Sequence, residues 1–445
     1  MYRWPTNLPE QPDITRKALP LHYLIIYTRM RYNTAALNNG LRIIHLPATS
    51  GVVYCGYAIA AGTRHEAPGD EGLAHFCEHV TFKGTRHRSS MQILNCLESV
   101  GGDLNAFTNK EHTVYYAAVL KEHTQRAVSL LSDIVFGSTY PQHEIDKEVE
   151  VICDEIESYN DSPMELIFDE FENAVFDGHP LGHNILGTEE RLRTYTTADA
   201  MRFTGRHYRP DNTIFFAYGD VAFDKLVRMV ERGIERGTDS SRVLPGHSLP
   251  EGSRRVIAPY HDTARTIVQK RNTHQSHVML GRRAYSAVDD RRWPLFLLNN
   301  ILGGNGMNAR LNVALRERNG LVYTVESAMA TYTDTGLWAV YFGCDHHDVK
   351  RCLRLTRHEM DRLMQRPLSE TQLLRAKKQL KGQIGVALDH HESYAIDFAK
   401  NFLHYGHGKD IDRLMNRIDT ITASQLQDVA HELFDPATLT TLIFE

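Results

Sequence analysis

The chain has 445 residues, too many for one compact core and enough for roughly two or three domains. A net charge of -5, from 50 basic and 55 acidic residues, gives no reason to expect nucleic acid or an anionic membrane as a partner. No apolar run approaches the roughly 20 residues that cross a bilayer, and the six cysteines form no Cys-x-x-Cys pair, so buried, reduced thiols in a cytoplasmic protein are expected.

Residues 1–29 hold a short apolar patch, LPLHYLIIY, with no small-residue cleavage site after it. Glu10 and Asp13 argue against an organelle transit peptide, so a disordered extension is expected, with a true start at Met30. A hairpin follows, turning at Asn38-Asn39-Gly40. VVYCGYAIAAG predicts a buried strand, 71–83 and 89–99 predict helices, and GDLNAFTN and HTVYYAAVL predict two successive strands. Helices are expected over 122–136, 142–159 and 197–208, then a strand in NTIFFAYG. The polar stretch RGTDSSRVLPGHSLPEGS ends a first domain at 30–237 and supplies a linker over 238–253, leaving a second domain over 254–445.

The second domain reads as the first run again. TYTTADAMRFTGRHYRPDNTIFFAYG is echoed by TITASQLQDVAHELFDPATLTTLIFE at the C-terminus, each a Thr-started helix, a Pro turn and a closing strand. DLNAFTNKEHTVYYAAVLKEHTQRAVSLL is paralleled by ESAMATYTDTGLWAVYFGCDHHDVKRCLRL. The expected fold class is α+β, two homologous α/β-sandwich domains, a duplicated half, enclosing a cleft.

EGLAHFCEHVTFKGT, residues 71–85, carries the chemistry. Asp70 and Glu71 suit a helix start and Lys83-Gly84 its end. At about 100° per residue, His75, Glu78 and His79 share one arc of the helix. Two imidazoles one turn apart can bind one metal, and an adjacent carboxylate can take a proton from a bound water. A polar stripe that happens to hold two His and a Glu is the plainer alternative. A third ligand is required, and the helix in YPQHEIDKEVEVICDEIESY offers Glu148, Asp154, Glu155 and Glu157 without choosing among them.

His75-x-x-Glu78-His79 resembles the inverted zinc motif of the inverzincins. Its surroundings resemble the pitrilysin family, in the branch holding the mitochondrial processing peptidase and its bacterial relatives. VGGDLNAFTNKEHTVYY is similar to that branch's Gly-Gly-x-x-Asn-Ala-Tyr/Phe-Thr strand, and VICDEI to the segment with its third ligand. ILGGNGMNARLNVALRERNGLVYTV resembles a run of the family's second half, and the likeness covers residues 32–445.

The resemblance implies one zinc per chain held by His75, His79 and Glu155, the last 76 residues past His79. It implies Glu78 as general base, Glu148 as a helper acid, and Asn105, Ala106 and Phe107 on a substrate-binding strand. Arg316 and Tyr323 would reach in from the second half. The implied activity is a zinc metalloendopeptidase acting on extended, unfolded peptides, as a homodimer by family habit. A catalytically silent scaffold or peptide-binding subunit is the alternative. Because the three ligands precede the linker, the first half alone could still hold zinc but is not expected to turn over peptide.

Some residues depart from the pattern. The loop GGNGMN at 303–308 is short, as in the catalytic branch, and Met307-Asn308-Ala309 replaces a Ser-rich stretch. His112 stands where the family more often has Gln, Glu or Asp. DHHESYAIDFAKNFLHYGHG holds His390, His391, Glu392, His404 and His407, dense enough to suggest a second metal; polar histidines near a helix end are expected instead, and likewise for His346-His347.

Overall fold

The computed structural model describes residues 32–237 and 263–445; the expected extension and linker lie outside them. The first hairpin is β1 (Asn33–Ala36) and β2 (Arg42–Pro47), with Asn33 opposite His45. Gly40 makes the turn at φ +89°, where a Cβ would strike that of Asp211 at 2.9 Å. Then come β3 (Val52–Ile59), α1 (Leu73–Thr81), α2 (Ser90–Glu98), β4 (Asp103–Thr108), β5 (Thr113–Leu120), α3 (Thr124–Gly137) and α4 (Gln142–Asn160). Two helices absent from the sequence reading follow, α5 (Pro163–Val175) and the short α6 (Glu189–Leu192). The half closes with α7 (Thr197–His207), β6 (Thr213–Gly219) and a further unexpected helix, α8 (Phe223–Gly237).

The second half holds β7 (Arg265–Gln269), β8 (Ser276–Ala284), α9 (Arg292–Gly303), β9 (Val322–Thr331) and β10 (Gly336–Cys344). It continues through α10 (Val349–Gln365), α11 (Glu370–Ala387), α12 (His391–Tyr405), α13 (Ile411–Thr420), α14 (Ala423–Leu433) and β11 (Thr440–Phe444).

Strand order carries the duplication. The first sheet runs β1-β2-β6-β3-β5-β4 and the second β7-β11-β8-β10-β9. In each, one parallel pair (β2 with β6, β7 with β11) is followed by three antiparallel ones in the same chain order. β4 and β9 are therefore equivalent edge strands, each paired on one side only among the described residues.

One face of the first sheet, with Ile43, Val53, Tyr57, Tyr115 and Phe215, packs on Leu73, Phe76 and Val80 of α1 and on Leu131 and Ile134 of α3. Its other face is covered from the second half. α12 lies across β3 and β6, where Tyr116 donates to Glu392 at 2.8 Å and Tyr218 Oη lies 2.9 Å from His391 Nδ1. The exchange is reciprocal. Leu166, Ile167, Phe171 and Val175 of α5 pack on Met279, Ala339, Tyr341, Leu442 and Phe444 of the second sheet. Arg265 and Arg283 of that sheet donate to the carbonyls of Ala174 and Val175, satisfying the C-terminal end of α5.

The tips of the two edge hairpins also meet. Glu111, in the β4–β5 turn, accepts from Thr333 N at 3.1 Å and pairs with Arg64 at 2.7 Å. Arg64 in turn grips Asp334 in the β9–β10 turn. Among the described residues no helix is long and apolar enough to cross a membrane.

Candidate metal centre

α1 presents His75, Glu78 and His79 toward α4 and beneath β4, because Leu73, Phe76 and Val80 commit its opposite stripe to the core. α4 packs beside it through Val149, Ile152 and Ile156, which turns two of its acids toward the histidines. Glu155 Oε2 lies 3.3 Å from His79 Nε2 and 3.9 Å from His75 Nε2. Ligand atoms of these three residues all fall within 4.8 Å of one another. Of the four acids the sequence left open, Glu155 faces the histidines, whereas Asp154 and Glu157 point to solvent.

Glu148 stands elsewhere. Its Oε1 is 3.0 Å from His79 Nδ1 and its other oxygen pairs with Lys83. The helper acid that the resemblance implies thus lies behind the imidazole, where a carboxylate fixes ring orientation and leaves Nε2 facing forward.

Two imidazole nitrogens and one carboxylate oxygen make a donor set suited to zinc with a position left open. Glu78 is buried beside them, and its Oε2 has no hydrogen-bond partner among the described residues. That is an acceptor left over for a donor from outside the protein.

Electrostatics sort the group further. Burial, helped by the charge of His79, lowers His75 to about 4, so its imidazole is neutral. Burial also opposes a proton on His79, but hydrogen bonds to Glu148 and Glu155 outweigh it and lift that ring to about 9. The hydrogen bond from His79 lowers Glu155 against the pull of burial. Burial raises Glu78, with Thr108 and His79 partly offsetting it.

β4 borders this group as a free edge. Leu104 and Ala106 pack toward the core, Asn105 is exposed, and Phe107 sits against the rings of His112 and Tyr116. Two surface depressions, of about 450 and 530 Å³, lie away from the cluster, around Arg88 and Asp133 and around Tyr218 and His391.

Comparison with known proteins identifies the family. Residues 44–189 match the family model described as insulinase (peptidase family M16), and residues 194–380 the one described as peptidase M16 inactive domain. An uncharacterized zinc protease of Streptomyces coelicolor is 33% identical over 399 residues, spanning 89% of this chain and 86% of the relative. Another, from Bacillus subtilis, is 31% identical and spans 89% and 94%. This chain belongs to peptidase family M16. A protease from Helicobacter pylori shares the fold at TM-score 0.85 and 21% identity, covering 94% of this chain and 100% of that one. The peptidase M16 inactive domain from Pseudomonas fluorescens does so at TM-score 0.80 and 17% identity, covering 93% and 98%.

In this M16 chain the two family matches do not divide where the sheets do: β6, which belongs to the first sheet, lies in the range of the second match. The name of that second match fits its helix α9, the counterpart of α1, whose sequence RWPLFLLNNILG has no His, Asp or Glu.

Arg316 and Tyr323 lie on the second half, Arg316 in a π-helical segment (Asn312–Glu317) and Tyr323 on β9. Tyr323 is 83% exposed, and the Arg316 guanidinium stacks over its ring at 5.6 Å. Among the described residues neither side chain bonds to His75, Glu78, His79 or Glu155; the carboxylate partner of Arg316 is its neighbour Glu317 at 3.8 Å.

His112, His404 and His346 have structural work. Asn109 Oδ1 accepts from the backbone of Glu111 and His112, so its Nδ2 is the group that donates to His112 Nε2 at 2.7 Å. His112 Nδ1–H is then left to donate to His404 Nε2, 3.2 Å away on α12. The departure at His112 is thus a contact between the halves. His346 bonds to Ser276 and the Thr273 carbonyl. Among the described residues one other group could gather round an ion, Asp345, His347 and Asp348, two of them exposed.

Proposed function

We propose that this chain is a zinc metalloendopeptidase that cleaves extended, unfolded peptide segments. The observation that carries the reading is the convergence of His75 Nε2, His79 Nε2 and Glu155 Oε2 beside the buried Glu78, whose Oε2 has no partner among the described residues, and under the edge strand β4. Zinc, when bound, supplies a Lewis acid that polarises the scissile carbonyl and acidifies its attacking water. His75, His79 and Glu155 hold it, and Glu148 keeps His79 turned with Nε2 forward.

Glu78 takes the proton of the attacking water at its free Oε2 and passes it to the leaving amine. Burial raises its pKa, so the carboxyl can keep that proton between the two steps. Substrate backbone adds to β4 as a further strand, since among the described residues no other strand pairs with the outer side of this edge. Asn105, exposed on that strand, is placed to meet it. Arg316 and Tyr323 act as donors from the second half, toward the developing oxyanion and the substrate backbone.

The test combines metal analysis with cleavage of a quenched peptide. Wild type should hold zinc and turn over. Glu78→Gln should keep zinc and lose about 10²- to 10⁴-fold in rate, as for loss of a positioned general base. A wild-type rate in Glu78→Gln would remove the assigned base. Metal without turnover in the unmutated chain would favour a peptide-binding subunit, and neither metal nor turnover a scaffold.

A further inference from the structure

α1 starts without help from its own cap. Gly72 stands at the N-cap position with φ +90°, and the first turn has no acidic side chain. The leading backbone N–H groups of a helix need acceptors. Leu73 N bonds to the Asp70 carbonyl at 3.0 Å, while the amides on either side of it find their acceptor well upstream, in Glu66. Its Oε1 accepts from Ala74 N at 2.7 Å, and its Oε2 accepts from Gly72 N at 3.1 Å. The same Oε2 is 2.9 Å from His183 Nε2, and the Glu66 side chain is 1% exposed. His183 is held in turn through its carbonyl by Lys110, itself 3% exposed and 3.8 Å from Glu172. Gly72 and Gly187 touch: a Cβ on Gly72 would lie 2.7 Å from the Cα of Gly187.

An ordinary N-cap residue moves with its helix. Glu66 does not, because it belongs to a different segment. That segment is fastened to the β4–β5 turn, with Thr63 N bonded to Asn109 O at 3.1 Å and Arg64 N to Lys110 O at 2.8 Å. Glu66 therefore ties the first turn of α1 to the hairpin whose outer strand is the free edge β4. Ala74, whose amide it grips, directly precedes His75.

We propose that Glu66 is a positioning residue that sets the metal helix in register with the substrate strand. It fixes the depth and rotation of the first turn of α1, and with them the approach of His75 Nε2 to His79 and Glu155. The inference rests on the metal reading of that cluster. Ligand sets tolerate only small displacements, on the order of 0.5 Å, before binding geometry degrades.

The test is Glu66→Gln. An amide in this place would turn an NH₂ toward a backbone N–H, so one of the two helix contacts is lost while size is kept. Three readouts separate positioning from bulk stability: zinc affinity by chelator competition, the d–d spectrum of the cobalt(II)-loaded chain, and kcat against KM on one quenched peptide. Zinc affinity should fall about 10- to 100-fold, the range for partners behind a ligand. The cobalt bands should shift, and kcat should fall with KM little changed. His183→Ala, which leaves both backbone contacts in place, should move zinc affinity and spectrum the same way by less, and it reads the inference if Glu66→Gln does not fold. A folded Glu66→Gln chain with unchanged zinc affinity and cobalt spectrum would overturn it. An unmutated chain that takes up neither metal would sink the metal reading first, and is told apart because no substitution is involved.

Discussion

Cutting the chain after Gly237 keeps His75, Glu78, His79 and Glu155, and the sequence alone suggests that such a fragment could hold zinc. The structure argues against it. β2, β3, β5 and β6 turn one face away from α1 and α3, and α12 of the second half covers that face. Ile44, Leu46, Val114, Ile214 and Phe216 lie on it, none more than 2% exposed. At roughly 1.5–3 kcal/mol for each such side chain, uncovering five costs about 8–15 kcal/mol. A whole domain is stable by only about 5–15 kcal/mol. Leu166, Ile167 and Phe171 of α5 lose their cover as well, since they pack on the second sheet. Residues 32–237 alone should therefore be insoluble or unfolded and bind no stoichiometric zinc. Produced together with 263–445 as a second chain, they should recover both. Circular dichroism melts, sedimentation and metal analysis of the fragment and the pair decide the matter. A monomeric fragment with a cooperative melt and one bound zinc would refute the argument.

Further tests address single residues. Glu155→Gln should sharply lower zinc occupancy by metal analysis while Glu157→Gln does not; an emptied site in Glu157→Gln alone would reassign the third ligand. Tyr323→Phe should slow cleavage about 10- to 1,000-fold at unchanged zinc content, as when one oxyanion donor is lost. Arg316→Ala should harm KM as well as kcat, because a guanidinium also grips the ground state, and wild-type rates in both variants would leave the second half without a chemical role. Zinc affinity should depend on pH. His79 is held protonated up to about 9 in the metal-free chain, and zinc needs its neutral Nε2. Affinity should therefore rise by about tenfold per pH unit below that value for one released proton, and a flat profile in titration calorimetry would contradict the assignment.

Periodicity made much of the first half legible. The helix expected at 71–83 spans 73–81, that at 142–159 spans 142–160, and the strand in NTIFFAYG is β6. In each case the apolar repeat faces a core made by nearby sequence. α5 escaped because its apolar stripe has no use in its own half; the surface it buries belongs to β8, β10 and β11. Glu148 and Glu155 could be put on one helical face from their spacing of seven. Which of them meets Nε2 and which Nδ1 depends on the crossing of α1 and α4, which spacing does not encode. Glu66 gave no local signal either, since its eight-residue reach to Ala74 matches no capping pattern. His112 made sense only with His404, 292 residues later.

The two halves share strand order yet differ at one helix, and the difference leaves the His-Glu-His cluster in one half. Where α1 turns His75, Glu78 and His79 toward the β4 side, α9 turns Asn299 toward β9. There Asn299 Nδ2 donates to Ser327 O at 2.9 Å, and its Oδ1 accepts from Trp338 Nε1 at 3.1 Å. Both of its side-chain polar atoms are spent on holding α9 to its sheet, and Leu295, Leu298 and Leu302 around it are fully buried. No histidine or acid remains on α9 to meet an ion. What the second half gives instead is mechanical: α12 over the first sheet, the β9–β10 tip on Glu111 and Arg64, and an exposed Arg316–Tyr323 pair. α12 contributes His391 and His404 to contacts with the first half, so part of the histidine density in this stretch belongs to the interface between the halves. Each half of the duplicated fold thus completes the other's core, while the cluster of His75, His79 and Glu155 stands in the first half alone.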